Sequence, residues 1–225
     1  AMIGMIEAHG GSVTCGARVS AINHSAGRAT GITLEDGRSI TATKAVIANV
    51  SPTALFGLTG GTGDARHDTA MKSYQYAPGT MMIHLAMDAL PNWSAPELQV
   101  RRAPGTIQGD AAGQIAATNW ADAAEPFAER ALDILERYAP GTRANILGRH
   151  IVTPQMLEAD NPNLVGGDQV CGSHHLHQHF MNRPARGFAD GSTPLRNLYH
   201  TGAAVWPGGG TGAGPGTMLA KKLAR

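Results

Sequence analysis

Residues 202–216 read GAAVWPGGGTGAGPG, with seven glycines and two prolines in fifteen positions. Glycine lets main chain approach a ligand with no Cβ in the way, and it reaches positive φ at little cost. The run follows the strand-like RNLYHT and precedes TMLAKKLAR, which reads as a short helix. A strand, a glycine turn and a helix start together present unpaired N–H groups and the positive end of a dipole, a device for holding anions and cofactors. A flexible surface turn is the plain alternative. The placement between strand and helix, with Trp206-Pro207 at the centre, favours cofactor contact. The run is neither a GxGxxG dinucleotide fingerprint nor a GxxxxGK[ST] phosphate loop, so a primary nucleotide-binding turn is expected elsewhere.

The second constellation is GSHHLHQHF, which carries His174, His175, His177 and His179. On a strand, His175, His177 and His179 would share a face, and three imidazoles can hold a metal ion. A polar loop lining a cleft fits better, because only Cys171 stands nearby as a further ligand. A third reading puts His174 and His175 at a cofactor or substrate pocket, polarising a group or shuttling protons. His84 and Asp88 share one face of the strand-like TMMIHLAMD and read as satisfied polar side chains. No nucleophile elbow occurs, and no carboxylate pair can be placed together.

These residues need elements to position them. AMIGMIEAH reads as the end of an amphipathic helix stopped by Gly10-Gly11. Ser12–Cys15 and Val19–Ile22 are strand candidates, and Ala29–Leu34 and Ser39–Thr43 flank the hairpin signal Asp36-Gly37. Lys44–Val50 is nearly continuous and apolar, the pattern of a buried and often parallel strand. Ser51-Pro52 starts a turn or a short helix, and residues 59–66 are a loop. Asp122–Tyr138 is the strongest helix, with Asp122 as its cap and Phe127, Ala131, Ile134, Leu135 and Tyr138 on one face. Ile146–Val152 is a strand, Thr153-Pro154 opens a short helix, and Asn161–Pro194 is loop-rich. Prolines at 91, 96 and 104 break every periodicity across 89–121.

Composition bounds the function. The 225 residues fit one large domain or two small ones, and 42% hydrophobic content can build a sizeable core. Eighteen basic and seventeen acidic residues nearly cancel, which argues against a broad nucleic-acid face. Aromatics at 5% argue against a base-stacking surface. Cys15 and Cys171 read as reduced thiols of a cytoplasmic protein. No run has the length of a membrane span, and no signal segment opens the chain. Ala1 leads directly into a helical pattern, as expected of a tagged, processed or fragmentary chain.

Two blocks resemble flavin-dependent oxidoreductases of the phytoene-desaturase and amine-oxidase type. Residues 10–52 are similar to that family's helix–GG–strand–hairpin–strand–"A...P" unit. Residues 166–223 carry "Q.F..RP", "TP...LY..G" and "PGGG.G.GPG" in the family's order. The resemblance implies an α/β fold: 1–55 and 166–225 as portions of a Rossmann-like FAD-binding domain, and 56–165 as a portion of a β-rich substrate-binding domain. It implies that the main chain of Val19 meets the FAD adenine. Gly202, Ala203, Pro207, Gly208, Gly209, Gly210, Gly212, Gly214 and Gly216, with a helix start at Thr217 and Met218, would meet the flavin end. The glycines would be there because side chains would strike the cofactor.

FAD is the implied cofactor, no metal is, and the implied reaction is oxidation of a C–C or C–N bond in an apolar small molecule by hydride transfer to flavin. The family's GxGxxG unit is absent from this sequence, so the chain alone is expected to bind FAD weakly or not at all. A gap in the family pattern falls near Pro96–Arg102. The alternatives are a non-catalytic scaffold of the same family or a metal protein using the histidines of 174–179. Oligomeric state is open, and peripheral membrane contact is compatible with the family but signalled by no amphipathic helix.

Overall fold

The structure, a computed structural model, describes residues 1–94 and 119–224. It divides the chain into two compact units, Ala1–Ala77 with Val170–Arg225, and Pro78–Gln169. Both mix helix and strand. The gap near Pro96–Arg102 lies outside the described residues.

The first unit opens with helix α1 (Met2–Ala8), which buries none of its residues. Ser12–Cys15, expected as a strand, forms none. Strands β1 (Val19–Ser25), β2 (Arg28–Leu34) and β3 (Ser39–Thr41) make an antiparallel meander in the order β1-β2-β3. Its second turn is the expected one: Gly37 takes φ +85° and its N–H donates to the Leu34 carbonyl at 3.0 Å. Strand β4 (Val46–Ala48) pairs in parallel with β7 (Leu198–His200), so the apolar KAVIANV run does mark a parallel strand.

Helix α2 (Pro52–Thr59) starts at the expected proline, although the Ser51 side chain makes no capping bond. Helix α3 (Ala65–Lys72) begins inside the segment expected as loop. Asp64 caps it by accepting from the His67 amide at 2.8 Å. Its mean character is polar, which hid it from apolar periodicity. Ile22, Ala29, Ala48, Leu55, Leu195 and Leu198 form the core between the meander, the parallel pair and α2. The last helix of this unit, α6 (Gly214–Leu223), begins three residues ahead of Thr217 because Pro215 suits a first helical turn.

The second unit holds β5 (Met82–Met87) and β6 (Ile146–Val152), paired antiparallel. It also holds α4 (Trp120–Tyr138) and the short α5 (Pro154–Asp160). Thr153 caps α5 as expected, accepting from the Met156 amide at 3.2 Å. The cap of α4 is Asn119, which accepts from the Asp122 amide at 3.0 Å, so Asp122 belongs to the first turn. The buried face of α4 is Ala128, Ala131 and Leu132, whereas Tyr138 is 55% exposed. Of the expected stripe, Ala131 is buried and Phe127, Ile134 and Leu135 are half-buried, so only its end at Tyr138 falls outside; small alanines let the helix sit close. The described residues of this unit carry more helix (19 and 7 residues) than strand (6 and 7).

Candidate cofactor site

The site is built at the carboxyl ends of β4 and β7. That edge of a parallel pair is where open α/β sheets bind ligands, since the turns beyond it splay apart. After β7 the Thr201 amide donates to the Ala48 carbonyl at 2.9 Å, and the chain turns at Gly202 with φ +100°. A Cβ on Gly202 would collide with Asn49 Oδ1. Asn49 follows β4, so glycine here lets the two strand ends close on each other.

Beyond Gly202 the turn rests on Arg183. This guanidinium is fully buried. Its Nη2 donates to the carbonyls of Val170 (2.8 Å), Cys171 (2.9 Å) and Ala203 (3.0 Å), and longer bonds run to Gly172 and Ser173. It makes no ion pair among the described residues. Carbonyl dipoles therefore solvate the charge in place of water. Gly208 (φ +99°) lies on this side chain, where a Cβ would stand 3.2 Å from Nε. A Cβ on Gly209 would stand 2.6 Å from the Val170 carbonyl oxygen, and one on Gly214 would stand 3.0 Å from the Pro207 ring. The Trp206-Pro207 and Arg183-Pro184 peptides are cis.

The glycines thus divide into two sets. Gly202, Gly208, Gly209 and Gly214 are required by the protein's own packing, which corrects the expectation that a cofactor alone excludes their side chains. Gly210 (φ +77°), Gly212 (φ +62°) and Gly216 face open space, with nothing within 4 Å of the place a methyl group would take. Helix α6 starts at Ala213-Gly214 without a side-chain cap. Its first-turn N–H groups and the positive end of its dipole lie beside these open glycines. The Gly214 and Thr217 amides are not among the free ones, since they donate to Thr211 at 3.3 Å and to Ala213 at 2.8 Å, and Met218 lies deeper in the helix.

Two buried polar atoms at the end of β7 have no hydrogen-bond partner among the described residues: Thr201 Oγ1 and His200 Nδ1. The other ring nitrogen of His200, Nε2, donates to the Val50 carbonyl at 2.7 Å. Burial pushes its pKa down to about 4, against a weaker upward pull from Val50, and nearby His67 adds to the lowering. His67 is itself lowered by burial, although Asp68 beside it pulls the other way. Burial would raise Asp68, but the Thr62 hydroxyl and amide and the His67 ring outweigh it and hold the carboxyl low.

The histidine segment is not a strand. It forms two short 3-10 turns, Leu176–Gln178 and Phe180–Asn182, which abolishes the shared face expected of His175, His177 and His179. The rings instead stack in pairs, His174 with His179 at 5.1 Å and His175 with His177 at 5.6 Å. Among the described residues no three His, Cys, Asp or Glu side chains converge on a metal position. His179 also meets Trp206 edge-on at 6.2 Å, which brings this segment to the glycine turn, whereas His174 and His175 point to exposed surroundings. Gln178 ties the segment down: its amide donates to the Gln75 carbonyl at 2.6 Å and accepts from the Gln75 N–H at 2.9 Å.

Val19 heads β1, half-buried, in the same unit as the turn, with no hydrogen bond joining the two. His84 lies within β5. Asp88 lies just past its end; exposure alternates through 84, 86 and 88, which keeps the two on one face as expected, and the register shift after Ala86 puts its extra residue, Leu147, on β6. The resemblance places the Thr201-Gly202 pair at the strand end beneath the pyrophosphate side and holds Arg183 only within "Q.F..RP", with no role for its guanidinium; Asn49 was not singled out from sequence. The "RP" dipeptide at 183–184, in a stretch with few charges, was the available signal for that guanidinium.

The chain is similar to several oxidoreductases. The protein of Rattus norvegicus named pyridine nucleotide-disulfide oxidoreductase domain-containing protein 2 is 39% identical over 84 residues, 37% of this chain and 14% of its own length. The Mus musculus protein of that name is 34% identical over 99 residues, 44% of this chain and 17% of the relative. A limonene dehydrogenase subunit of Castellaniella defragrans is 30% identical over 144 residues, 64% of this chain and 26% of the relative. The crystal structure of an oxidoreductase from Methanosarcina mazei matches 99% of this chain and 52% of its own, with a TM-score of 0.57 at 20% identity, which shows a shared fold. No protein-family model matches the chain. The match spans about a quarter or less of the curated relatives' lengths. Among the described residues no helix is long and apolar enough to cross a membrane.

Proposed function

We propose that this chain forms part of an FAD-dependent, phytoene-dehydrogenase-like oxidoreductase that oxidises a C–C or C–N bond of an apolar substrate. The observation that carries the reading is the end of β7. There an unpartnered buried hydroxyl (Thr201) is followed along the chain by three open glycines (Gly210, Gly212, Gly216) and a helix start with no side-chain cap. Each of these wants an electronegative, flat or phosphorylated ligand approaching main chain. The sequence likeness to pyridine nucleotide-disulfide and limonene-dehydrogenase proteins supports the same reading.

In this reading the first unit carries the FAD-binding portions and the second unit a substrate-binding portion. Bound FAD supplies the hydride-accepting chemistry. The residues of this chain do the rest. Arg183 holds the turn in register through Ala203. Gly202 keeps the strand ends together. Thr201 donates a hydrogen bond toward the ligand. The α6 amide at Gly216 and the positive end of the helix dipole favour negative charge beside them.

FAD titrated into the purified protein and read by flavin fluorescence tests this. The expected result is weak, saturable binding that Gly212→Trp removes by filling the open side of the turn. Saturable binding that Gly212→Trp leaves unchanged would overturn the assignment.

A further inference from the structure

We propose that His84 and His150 form a two-imidazole chelate for a divalent transition-metal ion, on the open face of the β5–β6 pair. The two residues are direct cross-strand partners in the antiparallel register. Cross-strand partners are the closest side-chain neighbours a sheet offers. Their rings lie nearly parallel, 27° apart, with centroids 6.3 Å apart. Imidazole nitrogens bind such ions at about 2.0–2.1 Å. The separation is at the outer limit of what two rings span around one ion, so a small tilt of each ring toward the other completes the chelate.

The alternation of the strand separates this face from the ionic one. Arg149, adjacent to His150, turns to α4 and pairs with Glu125 at 2.5 Å and with Glu129. His150 therefore points the other way. Both imidazoles are exposed, and neither makes a hydrogen bond among the described residues, so their nitrogens are free to ligate. The flanking cross-strand pair is Ala86 with Gly148, and a methyl at Gly148 would meet nothing within 4 Å. An open depression of about 430 Å³ lies over these residues, leaving room for water on the remaining coordination positions. Arg149 also lines it, while its guanidinium is turned to the other face and paired with the two glutamates.

Two neutral nitrogen ligands with open positions suit Cu²⁺ above Ni²⁺ and Zn²⁺ by the usual affinity order. Binding needs both strands in register, so the ion clips β5 to β6 and stabilises the folded state by mass action.

The test is calorimetric titration of the whole chain with a copper(II) salt alone, followed by electron paramagnetic resonance. Four proteins are compared: wild type, His84→Ala, His150→Ala and the double variant His175→Ala/His177→Ala. The expected result is one site with nitrogen couplings. Each of the first two substitutions weakens it by about tenfold or more, the scale on which even an outer-sphere partner is felt. The double variant leaves it unchanged. Copper also raises the melting temperature of wild type but not of His84→Ala. Both histidines are exposed, so their replacement leaves the fold intact, and circular dichroism confirms this. The proposal is overturned if the double variant abolishes binding, if His84→Ala and His150→Ala bind as wild type does, or if wild type binds no copper.

Discussion

Arg183 offers the sharpest test of how the glycine turn is held. Replacing it with methionine keeps the bulk and removes the charge. The loss includes three short hydrogen bonds, at 2.8, 2.9 and 3.0 Å, to the carbonyls of Val170, Cys171 and Ala203. Hydrogen bonds to charged groups contribute about 1.5–3 kcal/mol each. The buried methionine regains some apolar transfer energy, about 1.5–3 kcal/mol in all. The net cost is then on the order of 3–6 kcal/mol, a large part of the 5–15 kcal/mol by which a domain is stable. At roughly 4 °C per kcal/mol for a unit of this size, the melting temperature falls by about 12 °C or more. Arg183→Lys places a point charge where a planar fork stood, so it recovers only part of the loss. Urea unfolding followed by circular dichroism reads all three proteins. A methionine variant within about 1 kcal/mol of wild type would refute the view that this guanidinium organises the turn.

The two glycine sets separate by substitution. Gly209→Ala drives a methyl into the Val170 backbone and destabilises by about 1–3 kcal/mol. Gly210→Ala meets no atom and costs about 1 kcal/mol, from its positive φ alone; equal losses in thermal melts would show that packing does not distinguish them. Leu198→Ala empties the centre of the first unit's core and costs about 2–5 kcal/mol in the same unfolding assay. His200 gives a pH dependence. Its folded pKa, about 4, lies below the unfolded value near 6.5, so the unfolded chain binds the extra proton between them. Stability is full above pH ~6.5 and falls by about 3 kcal/mol as the pH drops toward 4. His200→Phe should flatten that slope in urea melts taken across the range, and an unchanged slope would assign it to other groups.

How much was legible in the sequence depended on which interactions decide each element. The meander, β6 and the α5 cap were readable, because their signals are local: Asp36-Gly37 in a turn, Thr153-Pro154 at a helix start. The parallel pairing of β4 showed in its unbroken apolar run. Helix α3 did not show, since its order rests on the Asp64 cap and on the buried His67 and Met71 rather than on a stripe. The glycine turn was found, but half of its reason was missed. Gly208 and Gly209 are glycine because Arg183 and Val170 come from elsewhere in the chain, and no local pattern announces that. The histidines misled for the opposite reason: alternation in sequence became stacking once 3-10 turns replaced a strand.

The first unit is made of two chain segments, and its seam is tightly stitched. The Ser173 amide reaches the Gln75 carbonyl at 2.8 Å, and Gln178 bonds the Gln75 backbone from both sides. Departure at Ala77 and return at Val170 therefore start from neighbouring points. Ends that lie close together tolerate inserts of different length, since each doubling of a closed loop costs only about 0.6 kcal/mol. The same closeness lets 78–169 be cut out and the two ends rejoined by a short linker, giving a minimal protein on which the β7 turn can be studied alone.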